Sequence, residues 1–470
     1  MLKRNDKKRP IKIMQFGEGN FLRAFVDYFI QVLNDKNLFY GDVVVVQPLE
    51  VGRVKNLENQ DGLYTLYLEG IVDNKPYQHH QIIDCLSDFI NPYESLDKYL
   101  SYAKSLELEY IVSNTTEAGI VYVEETLEKT KTPQSYPGKL LLFLHERYQA
   151  LKDKKSGLEI YSLELIDNNG DKLKAVLEKL ARFNNYDDQF ITWLLNENIF
   201  YNTLVDRIVP GFPKNIDEIT KELGYQDDNV VKGEVFHLWV IDKKENYTSK
   251  LEAAFNQSRL NVYYVKDITP YKQRKVKILN GSHTAMVPIS YLLGHEAVRE
   301  SMADELVLKF IKGFVFDEVI DTIDLEKDDM IAFSNSVFDR YKNPFIHHLL
   351  ISIALNSMSK YKSRILPTVE DSLQLGNFPK HGLFALAALI YFYKGIDEKG
   401  DIIPLNDDEV FINFFKDVYK ENNKTIIRKT LSLPFWDTDV FDETVVAFVY
   451  NYFNIMQQHG MKKALEAFYE

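Results

Sequence analysis

The first half of the chain alternates short apolar runs with stretches of helical periodicity. Apolar runs that end abruptly in polar residues begin at Ile11 and recur as DVVVV, LEYIVS and LEIYS. Continuous runs of this kind are typical of parallel strands that are covered by helices on both faces. Between the first two runs, Phe21, Phe25 and Phe29 recur at helical spacing. The pattern therefore predicts a strand, a turn, a helix and a second strand, which together form a βαβ unit.

The pattern changes near Tyr271. Pro270 is suited to the first position of a helix that Thr269 would cap. Beyond this point strand patterns are scarce, and segments such as DELVLKFIKGFVFDEVI and HGLFALAALIYFYKG have the spacing of amphipathic or buried helices. We therefore expect an α/β protein with one domain over residues 1–270 and a second, mainly α-helical domain over residues 271–470.

Composition excludes several functional classes. The 470 residues are 45% hydrophobic and 27% charged, which is the profile of a folded globular protein. The formal net charge of -13 disfavours nucleic acid and anionic membranes as partners. Cys85 is the only cysteine, so an intramolecular disulfide is excluded and a reducing cytoplasm is expected. The longest apolar run, LFALAALIYFY, is shorter than the roughly 18 residues that a membrane span requires.

A glycine turn follows the first predicted strand. In QFGEGN, Gly17 and Gly19 would provide a tight turn and a close backbone approach to a pyrophosphate, and the next helix would begin near Asn20. The third glycine of the usual fingerprint is replaced by Leu22, so an ordinary strand-to-helix turn remains an alternative. Because a second strand follows at βαβ distance, we favour a Rossmann-type dinucleotide-binding domain.

NAD is the expected cofactor. The residues predicted to bind it lie on the glycine turn and at the end of the LEYIVS strand: Gln15, Phe16, Gly17, Glu18, Gly19, Asn20, Phe21, Leu22, Arg23, Ala24, Asn114 and Thr115. The acid that usually receives the ribose is absent after Val46, and Glu50 is the nearest carboxylate. Arg53 and Lys55 could accept a 2′-phosphate, so NADP remains an alternative.

The segment KVKILNGSHTA places three polar groups on one helix. At about 100° per residue, Lys275, Asn280 and His283 fall within a sector of about 140°. A lysine that is shielded from water can exchange a proton near neutral pH, and an amide and an imidazole can hold the reacting oxygen. Gly281 would leave room for a ligand beside the helix. The alternative is a surface helix with a solvated lysine and a core histidine.

Several motifs together resemble the long-chain mannitol dehydrogenase family. They are QFGEGNFLRAF, QDGLYTL, SNTTEAGI, ELIDNNGD, NTLVDRIVPG, RKVKILNGSHTAMVP and NPFIHHLLISIALNSMSKYKSRILPT, and they span nearly the whole chain. The resemblance implies a metal-independent NAD(H) oxidoreductase in which Lys275 is the acid/base and Asn280 and His283 complete the catalytic set. It also implies a Rossmann-type domain followed by a largely helical domain, with the active site between them.

One departure from the family pattern concerns the substrate. Where relatives that oxidise mannitol carry an Asp-Asn pair, this chain has Glu164 and Leu165. The change disfavours mannitol, and the ELIDNNGD form is similar to the uronate branch of the family. A hexuronate carries a carboxylate, so a cation cluster is expected where that group binds.

The expected substrate site lies in the HHLLISIALNSMSKYKSR segment. It offers Lys360, Lys362 and Arg364 for the carboxylate, and His348 as a further contact, although an exposed helix end and a core histidine are the alternatives. No metal is expected, because histidines with zinc-ligand spacing are absent. We expect NADH-dependent reduction of a small-molecule keto-uronate. A polyol dehydrogenase or another uronate reductase of the family, and an NAD-binding sensor, are the rival hypotheses, and the oligomeric state stays open.

Overall fold

The computed structural model describes residues 2–4, 8–72, 75–116, 118–151 and 154–470. The chain divides into two units, one formed by Met1–Glu69 with Tyr77–Ile268 and the other by Gly70–Pro76 with Thr269–Glu470. The strands are β1 (Ile11–Phe16), β2 (Asp42–Val46), β3 (Tyr64–Val72), β4 (Lys75–Ile83), β5 (Leu86–Ile90), β6 (Tyr110–Ser113), β7 (Glu159–Ser162), β8 (Ile199–Tyr201), β9 (Thr203–Asp206), β10 (Val231–Glu234), β11 (Leu238–Asp242) and β12 (Val262–Val265).

A parallel sheet with the order β5-β2-β1-β6-β7-β8 forms the centre of the first unit. In register, Phe16 pairs with Val46 on one side and with Ser113 on the other, so the carboxyl ends of β1, β2 and β6 coincide. All five residues of β2 are buried, as the unbroken valine run predicts. The order reverses direction between β1 and β6, which is the doubly wound arrangement whose ligands bind at that point. The expected Rossmann-type fold is confirmed.

The helices of the first unit are α1 (Asn20–Ala24), α2 (Val26–Asp35), α3 (Val54–Glu58), α4 (Leu96–Ser101), a 3₁₀ turn (Tyr102–Lys104), α5 (Tyr136–Leu151), α6 (Asn169–Phe183), α7 (Asp188–Asn196), α8 (Ile216–Leu223) and α9 (Lys250–Ser258). Two smaller sheets have the orders β10-β3-β4 and β12-β11-β9, and the end of β3 and the start of β4 belong to the second unit with Gly70–Pro76. Hydrophobic side chains fill both faces of the central sheet.

The helix after the glycine turn is broken, although its spacing predicts a continuous one. Phe25 has φ −124° and ψ −80°, which separates α1 from α2. The backbone carbonyls before the break accept hydrogen bonds from side chains. Tyr64 Oη donates to Arg23 O at 2.7 Å, and Arg207 Nη1 donates to Ala24 O at 2.6 Å. Side-chain bonds thus replace two helical hydrogen bonds at this point.

The second unit is helical, as expected. Its elements are α10 (Thr269–Arg274), a π-helical turn (Lys275–Asn280), α11 (Gly281–Leu292), α12 (Val298–Ala303), α13 (Glu305–Gly313), a second π-helical turn (Phe314–Val319), a 3₁₀ turn (Ile320–Thr322), α14 (Lys327–Tyr341), α15 (Leu350–Ile353), α16 (Ser357–Arg364), α17 (Leu366–Gln374), α18 (Lys380–Phe392), α19 (Glu409–Val418), α20 (Asn423–Leu431), a 3₁₀ turn (Pro434–Trp436) and α21 (Glu443–Ala467). The apolar run LFALAALIYFY forms most of α18, which is buried on all sides. Among the helices of the described chain, none combines the length and the apolar character that a membrane crossing needs.

Candidate active site

The first glycine of the turn is required by the backbone. Gly17 donates its N–H to Val46 O at 3.0 Å and has φ +122°, a conformation that side chains rarely adopt. A Cβ at this position would also lie 3.1 Å from Leu22 Cδ1 and 3.4 Å from Asn114 O. Leu22, at the position of the missing third glycine, therefore packs directly against the turn.

The second glycine is not required by anything within the protein. Gly19 has φ −66°, which any residue can adopt, and a Cβ placed there would meet no atom within 4 Å. The absence of a side chain at Gly19 therefore leaves open space after the carboxyl end of β1. A pyrophosphate that approaches the backbone closely needs such space, so the turn fits a dinucleotide.

Buried side chains hold the turn in shape. Arg23 donates to Glu18 O at 3.2 Å, to Asn20 Oδ1 at 2.6 Å and to Asn229 O at 2.6 Å. Gln15 Nε2 donates to Gly17 O at 3.1 Å. Several of the residues predicted to bind the cofactor are therefore buried and support the turn from inside the protein. They are Gln15, Phe16, Leu22, Arg23 and Ala24.

The end of β6 is fixed by Glu164. Its carboxylate accepts hydrogen bonds from Thr115 N at 3.0 Å, Thr115 Oγ1 at 2.9 Å and Ser113 Oγ at 3.2 Å. Burial raises the pKa of Glu164, and these hydrogen bonds oppose the shift. The side chain of Asn114 is also fixed, because its Nδ2 donates to Leu163 O at 3.3 Å.

A buried carboxyl group lies directly behind the glycine turn. Asp27 is fully buried on α2, and its Oδ2 accepts a hydrogen bond from Tyr64 Oη at 3.2 Å. Burial raises the pKa of Asp27 to about 7, while the nearby Gln15 amide, the hydrogen bond from Tyr64 and the charge of Arg23 oppose the shift. Sequence reasoning missed Asp27, because Tyr64, which donates to its carboxylate, is 37 residues away in the chain.

This carboxyl predicts a pH-dependent stability. Because the pKa is near 4 in the unfolded chain and about 7 in the folded one, the folded state binds the extra proton, and stability falls as pH rises from 4 through 7. At pH 8 the shift lowers the free energy of unfolding by on the order of 4 kcal/mol. We expect Asp27→Asn to remove this loss, so that the variant gains stability relative to wild type as pH rises.

Denaturant unfolding of both proteins between pH 4.5 and pH 8.5 measures the effect. Asp35→Asn is the matched control, since Asp35 lies on the same helix but is exposed. A constant difference in unfolding free energy between Asp27→Asn and wild type across this range would contradict the assignment.

The predicted catalytic lysine and asparagine are the two ends of a π-helical turn, Lys275–Asn280. The sequence predicted a regular α-helix, which would separate them by about 140°. A π turn closes i→i+5 hydrogen bonds and so brings residues five positions apart nearer to one face. Both side chains are half-buried. Such turns inside longer helices occur frequently at functional sites.

Gly281 has a packing role rather than the one the sequence suggested. A Cβ there would lie 3.1 Å from Arg364 O and 3.5 Å from Val276 O. The space beside this glycine is therefore filled by the end of α16, and the interpretation of Gly281 as room for a ligand is wrong. Its absent side chain instead lets two helices of the second unit approach closely.

Lys277, within the π turn, was missed by sequence reasoning. Its ammonium donates to Asp371 Oδ2 at 2.6 Å and to Thr322 Oγ1 at 3.0 Å, and the side chain is only 7% exposed. The ion pair ties the π turn to α17 and to the 3₁₀ turn before α14. Spacing alone could not distinguish this structural lysine from Lys275, two positions earlier.

His283 is held by an aromatic partner and has one unused nitrogen. Its ring stacks on Tyr341 with centroids 4.0 Å apart, and Tyr341 Oη is fixed by donating to Leu279 O at 2.5 Å. Nε2 of His283 is buried and makes no hydrogen bond to any residue that the structure describes. Burial lowers the pKa of His283 well below its usual range, and His348, whose ring centroid is 5.4 Å away, adds to the shift. His283 is therefore a neutral hydrogen-bonding group at neutral pH.

Three cations surround this histidine and form what we call the cationic cluster: Arg340, Lys360 and Arg364. Each lowers the pKa of His283 further. Burial and the charge of Arg364, one turn along α16, lower the pKa of Lys360 as well. Arg364 Nη1 donates to Thr284 Oγ1 at 3.3 Å, and Lys360 Nζ donates to Ile353 O at 2.8 Å.

The structure separates the third predicted cation from this cluster. Lys362 Nζ donates to Phe435 O at 2.5 Å and lies 4.9 Å from the centroid of the Phe435 ring. Lys360 and Arg364 share one face of α16 because they are four positions apart, whereas Lys362 points elsewhere. Arg340, on α14, was not among the predicted residues, because nothing in its local sequence distinguishes it from a surface arginine.

No metal-binding group emerges from the part of the chain that the structure describes. Histidine, cysteine, aspartate and glutamate side chains there do not gather in groups of three or more that could hold a metal ion. Cys85 is buried in the first unit. The polar chemistry of the second unit is thus carried by a lysine, an asparagine, a histidine and the cationic cluster.

A Rossmann-type unit with a glycine turn that fits a dinucleotide, followed by a helical unit with such polar groups, defines a class of nucleotide-dependent dehydrogenases. The family models agree. The mannitol dehydrogenase Rossmann domain matches residues 11–253, and the mannitol dehydrogenase C-terminal domain matches residues 267–456. The chain belongs to the mannitol dehydrogenase family, as its motifs predict, and is an NAD-dependent oxidoreductase acting on CH–OH groups.

Individual relatives extend over nearly the whole chain. An altronate oxidoreductase of Bacillus subtilis is 40% identical over 467 residues, covering 98% of this chain and 95% of that protein. An altronate oxidoreductase of Bacteroides thetaiotaomicron is 39% identical over 439 residues, covering 92% of this chain and 91% of that protein. The chain is therefore similar in length and sequence to proteins that carry this name.

Solved structures agree with the fold. A substrate-free D-sorbitol dehydrogenase has a TM-score of 0.81 at 22% identity, covering 97% of this chain and 95% of that one. The Pseudomonas fluorescens mannitol 2-dehydrogenase, in a ternary complex with NAD and D-mannitol, has a TM-score of 0.65 at 22% identity, covering 98% of this chain and 94% of that one. Both likenesses concern the fold.

Proposed function

We propose that this protein uses NADH to reduce tagaturonate to altronate in hexuronate catabolism. The observation that carries the proposal is the cationic cluster beside His283. A neutral polyol offers no anionic group for three cations, whereas a hexuronate carries one carboxylate that can accept charge-assisted hydrogen bonds from them. The altronate oxidoreductases that resemble this chain over nearly its full length support the same substrate class.

Lys275 is the proposed acid/base. In the direction of reduction it gives a proton to the oxygen that was the carbonyl, and in oxidation it takes the proton from the alcohol. His283 cannot replace it, because burial and neighbouring cations keep its imidazole neutral. Its unpartnered Nε2 is instead suited to a hydrogen bond with the reacting oxygen, together with the Asn280 amide.

The cofactor contributes the hydride when it is bound. The glycine turn would hold its pyrophosphate, because Gly19 leaves open space and the turn is fixed from within by Gln15 and Arg23. The proposed location is the cytoplasm, supported by a single cysteine that is buried and unpaired. We propose that residues 1–270 bind the cofactor and that residues 271–470 carry the acid/base chemistry.

The test is a spectrophotometric assay of NADH oxidation with tagaturonate, fructuronate and fructose as substrates. We expect the highest kcat/KM with tagaturonate and the lowest with fructose. The same rates are expected after dialysis against a chelator, since the mechanism uses no metal. A clear preference for fructose or fructuronate would refute the substrate assignment, and a protein that binds NADH without oxidising it would point to a sensor. A loss on chelation that a divalent ion restores would refute the metal-independent mechanism.

A further inference from the structure

The carboxylate that ordinarily receives the adenosine ribose is missing from the end of β2. In Rossmann-type units this acid accepts a ribose hydroxyl and so favours NAD over NADP. Here Gln47 and Pro48 follow Val46. Gln47 is buried, and its side-chain amide donates to Leu49 O at 2.8 Å and to Glu50 O at 3.1 Å. Its amide nitrogen therefore holds the loop after β2 in shape.

A carboxylate reaches the same loop from the glycine turn. Glu18 lies between Gly17 and Gly19, and its Oε1 accepts a hydrogen bond from Arg53 N at 3.0 Å. A Cβ added to Gly52 would lie 2.5 Å from this oxygen, so the glycine is what allows the carboxylate to rest against the loop. Its other oxygen, Oε2, makes no hydrogen bond to any described residue.

The loop also forms one wall of a cavity of about 440 Å³ at the carboxyl ends of β2 and β5. Gln47 and Gly52 line it from the loop, and Ile90 and Asn91 line it from the end of β5. The volume is within the range of small-ligand sites, which is about 300–1,000 Å³. Glu18 Oε1 lies against Gly52, so its carboxylate adjoins a residue of the cavity wall.

We propose that Glu18 selects NADH over NADPH by accepting a hydroxyl of the adenosine ribose at the edge of this cavity. The same negative charge disfavours a 2′-phosphate. Glu50, the nearest acid in sequence, also lines the cavity, but it is exposed and its side chain makes no hydrogen bond within the described chain. Glu18 is fixed by the Arg53 amide, and a group that is held in place loses less entropy on binding. The proposal extends the family's use of NAD and does not depend on the sugar substrate.

The experiment measures the dissociation constants of NADH and NADPH by nucleotide fluorescence, without sugar substrate. We expect wild type to bind NADH more tightly and Glu18→Gln to lose about tenfold or more of this preference, the scale of one charge-assisted hydrogen bond. Glutamine retains an oxygen for the Arg53 amide, so the loop is preserved. Glu107→Gln is the control for net charge, since Glu107 is exposed in the same unit, and it should leave the preference unchanged.

A second measurement separates recognition from loop structure. 2′-Deoxy-NADH lacks the hydroxyl, whereas the Glu18→Gln variant lacks the carboxylate. We expect wild type to bind 2′-deoxy-NADH more weakly than NADH, and Glu18→Gln to bind the two nucleotides with similar affinity. Three results would overturn the proposal: wild type that binds NADPH as well as NADH, a preference that changes in Glu50→Gln but not in Glu18→Gln, or equal losses for both nucleotides in Glu18→Gln and Glu18→Ala.

Discussion

Lys275→Ala is expected to lower kcat by about 10²-fold or more while leaving the dissociation constant of NADH nearly unchanged. This is the scale of general acid–base catalysis by one side chain. The expectation rests on the chemistry of the π turn, where Asn280 cannot exchange a proton and His283 remains neutral. Stopped-flow measurement of NADH oxidation under saturating keto-uronate gives kcat, and fluorescence titration gives the affinity for NADH.

Two further measurements distinguish proton transfer from a purely electrostatic role. Lys275→Arg retains the positive charge but its guanidinium does not give up a proton at neutral pH, so it should be nearly as slow as Lys275→Ala. Added methylamine should partly restore Lys275→Ala, because it can supply the missing ammonium. A folded Lys275→Arg with the turnover of wild type would remove Lys275 as the acid/base.

The sequence predicts the parts of the fold in which burial leaves a pattern. The valines of β2 are buried on both faces, so their run is continuous and the strand is readily recognised. By contrast, most of β4 is exposed, and its residues KPYQHHQII show no apolar alternation. A strand of this kind is specified by pairing with its neighbour, which local sequence does not reveal.

For the site, the sequence identifies residue types but not the backbone that presents them. Lys275, Asn280 and His283 stand out as polar groups in an apolar segment. The π turn that joins the first two nevertheless depends on tertiary packing, including the ion pair of the buried Lys277 with Asp371. Arg340 acts electrostatically on His283 although it lies on α14, 57 residues further along the chain. A cation brought from a distant element leaves no local signal.

The cationic cluster yields a prediction that decides between a uronate and a neutral sugar. Lys360→Met and Arg364→Met are each expected to lower kcat/KM for a keto-uronate about ten- to a hundredfold, the loss of one charge-assisted hydrogen bond to the carboxylate. Neither should greatly change kcat/KM for the corresponding uncharged ketose, because that substrate has no anionic end. Arg364 donates to Thr284, the residue after His283, and Lys360 lies one turn before Arg364 on the same helix.

Lys362→Met is the matched control on the same helix. Its ammonium is engaged by Phe435 O at 2.5 Å, so removing it should leave the ratio of kcat/KM for keto-uronate to that for ketose unchanged. Comparing this ratio among the three variants separates loss of carboxylate binding from general damage to α16, because damage would lower both efficiencies together. Equal losses on both substrates in Lys360→Met and Arg364→Met would show that the cluster supports the helix, and the carboxylate would have to bind elsewhere. A change confined to the uronate would instead assign the carboxylate to the face of α16 that Lys360 and Arg364 share.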